Sequence, residues 1–284
     1  MRETVPDDEP ITTPAGPYEA LPYSRRCREI WQRGEHLLIG VSPGNSYFSH
    51  RRIAELVGWG LEFFGRIDIV YADLHVATQF ETFGYTPEHA QRRAAKEVKA
   101  TARRIERGVE ESGRRNAVGV HALSDFTADD AYRRLHRQAV DGLRTDPVYR
   151  AAAEGMARGF LAARMGEGLA PNEPQLAAGV RYITAELPFF LDTPALLGVA
   201  SSVSCYHLQL PLTPVLFGRE EGTRAAAGQA YAVVRPAGVP SVPAAELPSV
   251  SADLPPVSAT AGSGPVGIGS AVSRPVGVGP VRAA

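Results

Sequence analysis

Hydrophobic positions along this chain alternate between two patterns. Leu37-Leu38-Ile39-Gly40-Val41 is a nearly unbroken apolar run of the length of a buried strand, and it stops at Ser42. Directly after it, Ile53, Leu56, Val57, Leu61 and Phe64 recur at helical spacing. The alternation continues downstream. Strands are predicted at 36–41, 67–72, 118–123, 199–208 and 229–235, and helices near 50–64, 87–111, 127–142, 146–165 and 173–191. Strand and helix in turn predict an α/β fold with a mostly parallel sheet, covered by helices on both faces.

The two ends lack this patterning. Residues 1–20 read as a flexible leader, acidic and proline-bearing at the start. Residues 238–284 are almost wholly Pro, Gly, Ala, Ser and Val, and their charges are Glu246, Asp253, Arg274 and Arg282 alone. Such a tail buries too little apolar area to offset its ordering entropy, so disorder is expected there. The expected organisation is a leader at 1–20, one catalytic domain at 21–237 and a tail at 238–284.

Composition narrows the class. With 284 residues, 44% of them hydrophobic, the chain can bury a large core, and 30 basic against 31 acidic residues name no partner. Cys27 and Cys205 have no metal-ligand spacing and make no disulfide framework. The first residues lack a signal peptide's basic start and apolar core, and no apolar run reaches the ~20 residues of a membrane span. A soluble cytoplasmic protein with no metal and no membrane partner is expected. No pattern points to an obligate dimer, so a monomer is expected as well.

Gly40-Val41-Ser42-Pro43-Gly44 places a serine on a turn between a strand and a helix. In open α/β sheets that position faces the ligand crevice. The stretch matches the G-x-S-x-G nucleophile elbow of α/β-hydrolases. It also suits a helix cap or a phosphate-binding turn. In hydrolases the elbow follows several strands, whereas Ser42 ends the first strand predicted here. A Ser42, Asp192, His207 triad is available in the right order, as some such trio is in most chains of this length. There is no G-x-G-x-x-G and no Walker lysine, so no dinucleotide or triphosphate cofactor is indicated.

Three further features carry chemistry. Tyr182 and Glu186 lie four apart on one helix among Val180, Ile183, Ala185 and Leu187, so they share a face. A carboxylate in apolar surroundings needs a cation, from the protein or from an ammonium of a ligand; an exposed glutamate beside a packed tyrosine is the plainer alternative. In the strand around 201–208, Tyr206 and His207 point to opposite faces. Finally, Arg92, Lys96, Lys99, Arg103 and Arg107 form one stripe along the 87–111 helix, widened by Arg93 and Arg104. A solvated face is the default for such a stripe, yet one-sided clustering is also the footprint of phosphate-backbone binding.

Together these features resemble the cyclodipeptide synthases, in the subgroup named for Asn, Tyr and His. The resemblance runs from about Arg33 to Pro236. It rests on Gly-Val-Ser-Pro-Gly-Asn-Ser-Tyr-Phe-Ser at 40–49, Asp68-Ile-Val-Tyr-Ala-Asp73, Tyr182-x-x-x-Glu186, Pro188-Phe-Phe190, Ser-Ser-Val-Ser-Cys-Tyr-His at 201–207 and Gly228-Gln-Ala-Tyr231. It implies a Rossmann-like domain similar to the catalytic domains of class I aminoacyl-tRNA synthetases. It implies two aminoacyl-tRNA substrates, one 2,5-diketopiperazine product and no cofactor.

By the same resemblance, Ser42 is acylated, Tyr182 and Glu186 hold the α-amino group, and Tyr206 serves the second transfer and proton movement. A dipeptidyl-enzyme then cyclises. Asn45 and His207 are supporting residues beside Gly40, and the basic helix contacts tRNA. Pocket positions correspond to Leu38, Gly40, Val70, Ala72, Phe189 and Ser204. Arg164, on the helix bordering the second site, would favour a polar or acidic second residue. The rival readings are a serine esterase, which needs His207 as base, and a non-catalytic RNA-binding protein, which does not need Ser42.

Overall fold

The structure, a computed structural model, describes residues 11–12, 16–165 and 169–238. Seven strands form one sheet: β1 (Ile11–Thr12), β2 (Tyr18–Pro22), β3 (His36–Val41), β4 (Arg66–Tyr71), β5 (Val118–Ala122), β6 (Ser202–Tyr206) and β7 (Gln229–Pro236). Their order is β1-β2-β7-β6-β3-β4-β5. The run from β7 to β5 is parallel, while β2 pairs antiparallel with β7 and β1 with β2. From β3 the chain winds outward through β4 to β5, then returns to lay β6 and β7 on the other side of β3. The order therefore reverses between β3 and β6, and ligands bind at that reversal in open α/β sheets, beyond the carboxyl ends of the strands. Ser42 follows β3 and Tyr206 ends β6.

Among the described residues eight α-helices accompany the sheet: α1 (Arg25–Gln32), α2 (His50–Gly60), α3 (Val76–Thr82), α4 (Pro87–Glu111), α5 (Asp130–Thr145), α6 (Pro147–Met165), α7 (Glu173–Leu197) and α8 (Thr213–Phe217). Side-chain alternation along β3 divides the core. Leu37, Ile39 and Val41 pack with Ile53 and Val57 of α2 and Ile105 and Val109 of α4. Leu38 packs on the other face with Val70 and with α5, α6 and α7. Helix ends follow local chemistry. The Ser49 hydroxyl accepts the Arg52 N–H at the start of α2, and Thr86 and Pro87 open α4. Asn172 and Gln175 exchange side chain-to-backbone hydrogen bonds, each 2.9 Å, at the start of α7. That helix kinks at Asp192, between Pro188 and Pro194.

The expected leader at 1–20 is corrected in part. Residues 11–12 and 18–22 are strands, with Tyr18 and Ala20 buried and the Tyr18 hydroxyl donating to Glu55 at 2.9 Å. Tyr18, Glu19 and Ala20 alternate in and out, but the segment is short and flanked by Pro17 and Pro22, which hides the pattern. The predicted strand at 199–208 shortens to Ser202–Tyr206, because Gly198 closes α7 in the left-handed region. Helices α1, α3 and α8 were not anticipated. The expected disordered tail lies outside the described residues, apart from Gly238.

One polar cluster braces the sheet beneath the site. Asp68, fully buried on β4, accepts hydrogen bonds from His36 (2.9 Å), His121 (2.8 Å) and Arg66 (2.6 Å), and His36 contacts Ser202 at 2.7 Å. Burial alone would raise the Asp68 pKa. The three donors outweigh it and hold the carboxyl far below the usual range. Strands β3, β4, β5 and β6 are thereby tied together by side chains as well as by backbone.

Candidate active site

Ser42, Pro43, Gly44 and Asn45 form a β-turn at the end of β3, closed by the Asn45 N–H on the Ser42 carbonyl at 3.2 Å. Proline at the second position and Gly44 at φ +74° at the third make it a type II turn. The Asn45 side chain then does two things. Its Oδ1 accepts the Tyr47 N–H at 2.9 Å, and its Nδ2 donates to the Tyr206 hydroxyl at 3.0 Å. Tyr206 thus has one lone pair engaged, and no acceptor for its own proton is found among the described residues. Burial, with Glu186 nearby, pushes its pKa up, so it stays protonated.

Beyond the turn lies a cavity of about 140 Å³. Leu38, Gly40, Val70, Ala72, Phe189 and Ser204, the expected pocket residues, all line it, as do Ser42, Tyr182, Glu186 and Tyr206. Sequence reasoning missed the wall supplied by α6, where Gly155, Met156, Gly159 and Phe160 face the space. The four-residue spacing of the two glycines was the available signal. It also missed Leu123 and Tyr231. The Ser204 hydroxyl accepts from Gln229 at 3.0 Å, and Tyr231 donates to the Leu208 carbonyl at 2.5 Å, fixing the loop after β6.

Tyr182 and Glu186 face this cavity from α7. The Tyr182 ring stacks on Phe160, with centroids 5.3 Å apart and planes 9° from parallel. Its hydroxyl is buried beside Ser42 and Glu186, yet no hydrogen bond is closed to either among the described residues. Burial, and then the Glu186 charge, raise the Tyr182 pKa well above its ordinary value. Glu186 keeps some solvent access through the cavity, but protein atoms surround its carboxyl. Burial pushes its pKa up to about 7, against the opposing pull of Tyr182. An acceptor so poised is matched to an α-ammonium, whose ordinary pKa of about 8 lies close by.

No histidine serves Ser42. His207 does not line the cavity; it stacks on Tyr47 at 3.8 Å, and Arg52 covers the far side of that ring at 4.3 Å. Neither ring nitrogen has a partner among the described residues, and burial, with Arg52, pushes the pKa down to about 3. Asp192 accepts the Ala195 N–H at the kink of α7. The hydrolase triad is therefore not assembled.

Arg164, expected beside a second site, does not line this cavity. It is 7% exposed and lies behind the serine turn, where Pro43 and Gln79 hold it. On α4, Arg92, Lys96, Lys99, Arg103 and Arg107 are exposed, the last paired with Glu111 at 2.9 Å. Arg93 turns toward the body and lies over the Phe80 and Tyr85 rings. Arg104 is half-buried and donates to Thr101 at 3.1 Å. The stripe is accordingly five cations wide in solvent, since Arg93 and Arg104 sit a step around the helix.

At the switch point of a Rossmann-like sheet, one apolar cavity thus gathers a turn serine, a buried Tyr–Glu pair and a protonated tyrosine. The family model for cyclodipeptide synthases matches residues 18–236. The chain is 41% identical over 221 residues to the cyclo(L-tyrosyl-L-tyrosyl) synthase of Mycobacterium tuberculosis, covering 78% of this chain and 76% of that one. It is 39% identical over 212 residues to the cyclo(L-leucyl-L-phenylalanyl) synthase of Streptomyces noursei, covering 74% and 89%. A solved structure of a M. tuberculosis protein, reported as relating cyclodipeptide synthetases to type I tRNA synthetases, superposes with a TM-score of 0.71 at 39% identity, covering 80% and 96%. A crystal structure of a cyclo(L-leucyl-L-phenylalanyl) synthase gives 0.73 at 37% identity, covering 77% and 98%. This chain belongs to the cyclodipeptide synthase family and is an enzyme of the aminoacyltransferase class.

Proposed function

We propose that the enzyme joins two aminoacyl groups, each delivered on tRNA, into a cyclic dipeptide through an aminoacyl-Ser42 ester. The observation that carries this is the convergence of Ser42, Tyr182, Glu186 and Tyr206 on one apolar cavity without a histidine base. A serine lacking such a base suits an acyl donor that is already activated, and an aminoacyl ester on tRNA is one.

In the first step the Ser42 oxygen bonds to the ester carbonyl carbon and the ribose oxygen leaves, taking up a proton. Tyr182 and Glu186 bind the α-ammonium, and Glu186 can take its proton when an amine is required. The freed amine of the Ser42-bound residue attacks the second aminoacyl ester, and the second ribose oxygen leaves. Tyr206 gives its proton to that departing oxygen and takes back the one that the attacking nitrogen loses. The terminal amine of the dipeptidyl ester then attacks the Ser42 ester, closing the ring and returning the serine hydroxyl. Every reacting group is held on one scaffold, so ring closure is intramolecular. The apolar lining favours an apolar or aromatic first residue, in keeping with the tyrosyl, leucyl and phenylalanyl groups in the relatives' names.

Mass spectrometry of the medium from a heterologous host expressing the chain is the direct test. A diketopiperazine is expected and its mass names the residues; a soluble, well-expressed protein yielding none overturns the proposal. Replacing Arg92, Lys96, Lys99 and Arg103 with alanine is expected to lower activity and flatten its salt dependence, by about 0.7–0.9 in slope for each phosphate no longer neutralised. Unchanged kinetics in that variant would remove the stripe from the tRNA interface.

A further inference from the structure

Arg164 is one of the most deeply buried charges in the described part of the protein, and its contacts converge on the serine turn. From α6, Nη2 donates to the Pro43 carbonyl at 3.1 Å and Nη1 to Gln79 Oε1 at 3.1 Å. Glu97 of α4 brings Oε1 to 4.0 Å from Nη2. The guanidinium lies over the Phe160 ring at 4.6 Å, and that ring stacks in turn on Tyr182. Nε of Arg164, Nε2 of Gln79 and Oε2 of Glu97 have no partner among the described residues. A charge in this position, so incompletely satisfied, is a poor way to gain stability, since desolvation offsets most of the attraction.

The Pro43 carbonyl is the informative contact. It belongs to the central peptide of the Ser42–Asn45 turn, the peptide whose flip interconverts type I and type II turns. Gly44, at φ +74°, gives the backbone freedom to make that flip. Because the peptide is planar and trans, the Gly44 N–H points away from the carbonyl that Arg164 holds. A flip would reverse that N–H and move the segment between Ser42 and Asn45, whose side chain orients Tyr206.

We propose that Arg164 is a positioning residue for Ser42: by holding the Pro43 carbonyl it locks the turn in the form from which the serine is acylated. The proposal rests on the aminoacyl-Ser42 reading above. Its test is single-turnover formation of aminoacyl-enzyme from labelled aminoacyl-tRNA at saturating concentration, beside tRNA affinity and thermal melting, for Arg164→Met and Arg164→Lys. Met fills the space without a donor; Lys restores one hydrogen bond to Pro43 but not the pair.

Acylation is expected to fall about ten- to a hundredfold in Arg164→Met, the scale of a small misplacement of a reacting group, with tRNA affinity kept. Arg164→Lys is expected to fall between Met and wild type. Wild-type acylation in folded Arg164→Met overturns the proposal, and so does a loss of tRNA affinity that accounts for the whole effect. If Arg164→Met does not fold, Arg164→Lys decides, and a wild-type rate there overturns it. A wild-type enzyme that forms no aminoacyl-enzyme would instead overturn the covalent mechanism, which separates the two failures.

Discussion

Ser42→Ala is expected to abolish cyclic dipeptide formation and the labelled aminoacyl-enzyme together, by roughly 10³-fold or more, the scale for losing a nucleophile. The variant should fold, because Ser42 lies at a strand end facing a cavity and the turn is closed by backbone atoms. It should also keep its affinity for aminoacyl-tRNA, since α4 and the Tyr182–Glu186 pair are untouched. The check is acid-quenched capture of labelled protein, with product by mass spectrometry. Residual turnover near the wild-type level would mean that the second amine attacks tRNA-bound ester directly and that Ser42 only orients it.

Glu186→Gln is expected to be nearly as severe. A buried ammonium left without its carboxylate costs about 3–5 kcal/mol, which is roughly 10²- to 10⁴-fold in rate. The pH dependence gives a sharper signature. In the free enzyme the carboxyl titrates at about 7, so kcat/KM of the wild type should rise with pH through that value and fall again above about 8, where the free substrate loses its ammonium proton. Once an ammonium is bound, the carboxylate is stabilised, and the rising limb of kcat should move below 7. Glu186→Gln should lose the limb from both profiles.

Stability must move the opposite way. The folded pKa lies above the ordinary 4.5, so between about 4.5 and 7 the folded protein binds the extra proton and stability falls as pH rises. At pH 8 the variant without that charge should melt higher than wild type, by at most about 3 kcal/mol. Below pH 4.5 the difference should vanish. Equal melting at both pH values would show that the Glu186 carboxyl is not desolvated.

Much of this was legible in the chain because it is written in periodicity. The 36–41 strand and the 87–111 helix have the same ends in the structure, since a β-run closed by a turn and a helix opened by Thr86-Pro87 leave little choice. The serine turn and the Tyr–Glu pair were reachable for the same reason, one at a strand end and the other on one helix face, whereas the six pocket positions came only through the family resemblance. What stayed hidden depends on depth rather than spacing. Arg164 and Arg104 look like any surface arginine in a sequence, and only packing distinguishes them from Arg103. Glu97 reads as one more acid on a basic helix, although a step around that helix turns it inward. The α6 wall is built from Gly155, Met156, Gly159 and Phe160, and its partner, α7, is near only in the folded chain. The β1–β2 pair is too short and too interrupted by proline to show a pattern of its own.

That pair has a practical bearing on how the protein can be trimmed. Strand β7 is bonded to β6 on one side, and its other row of N–H and C=O groups is taken by β2, from Tyr18 to Pro22. A version of the chain starting at Leu21 would strip away most of that partner strand, together with the Tyr18 ring that stands beside Trp59. What remained would present an open, alternately apolar edge, and the nearest strand able to satisfy it would belong to another molecule. The short strands at the start of the described chain, far from the chemistry, thus cover a row of backbone groups that would otherwise be left open.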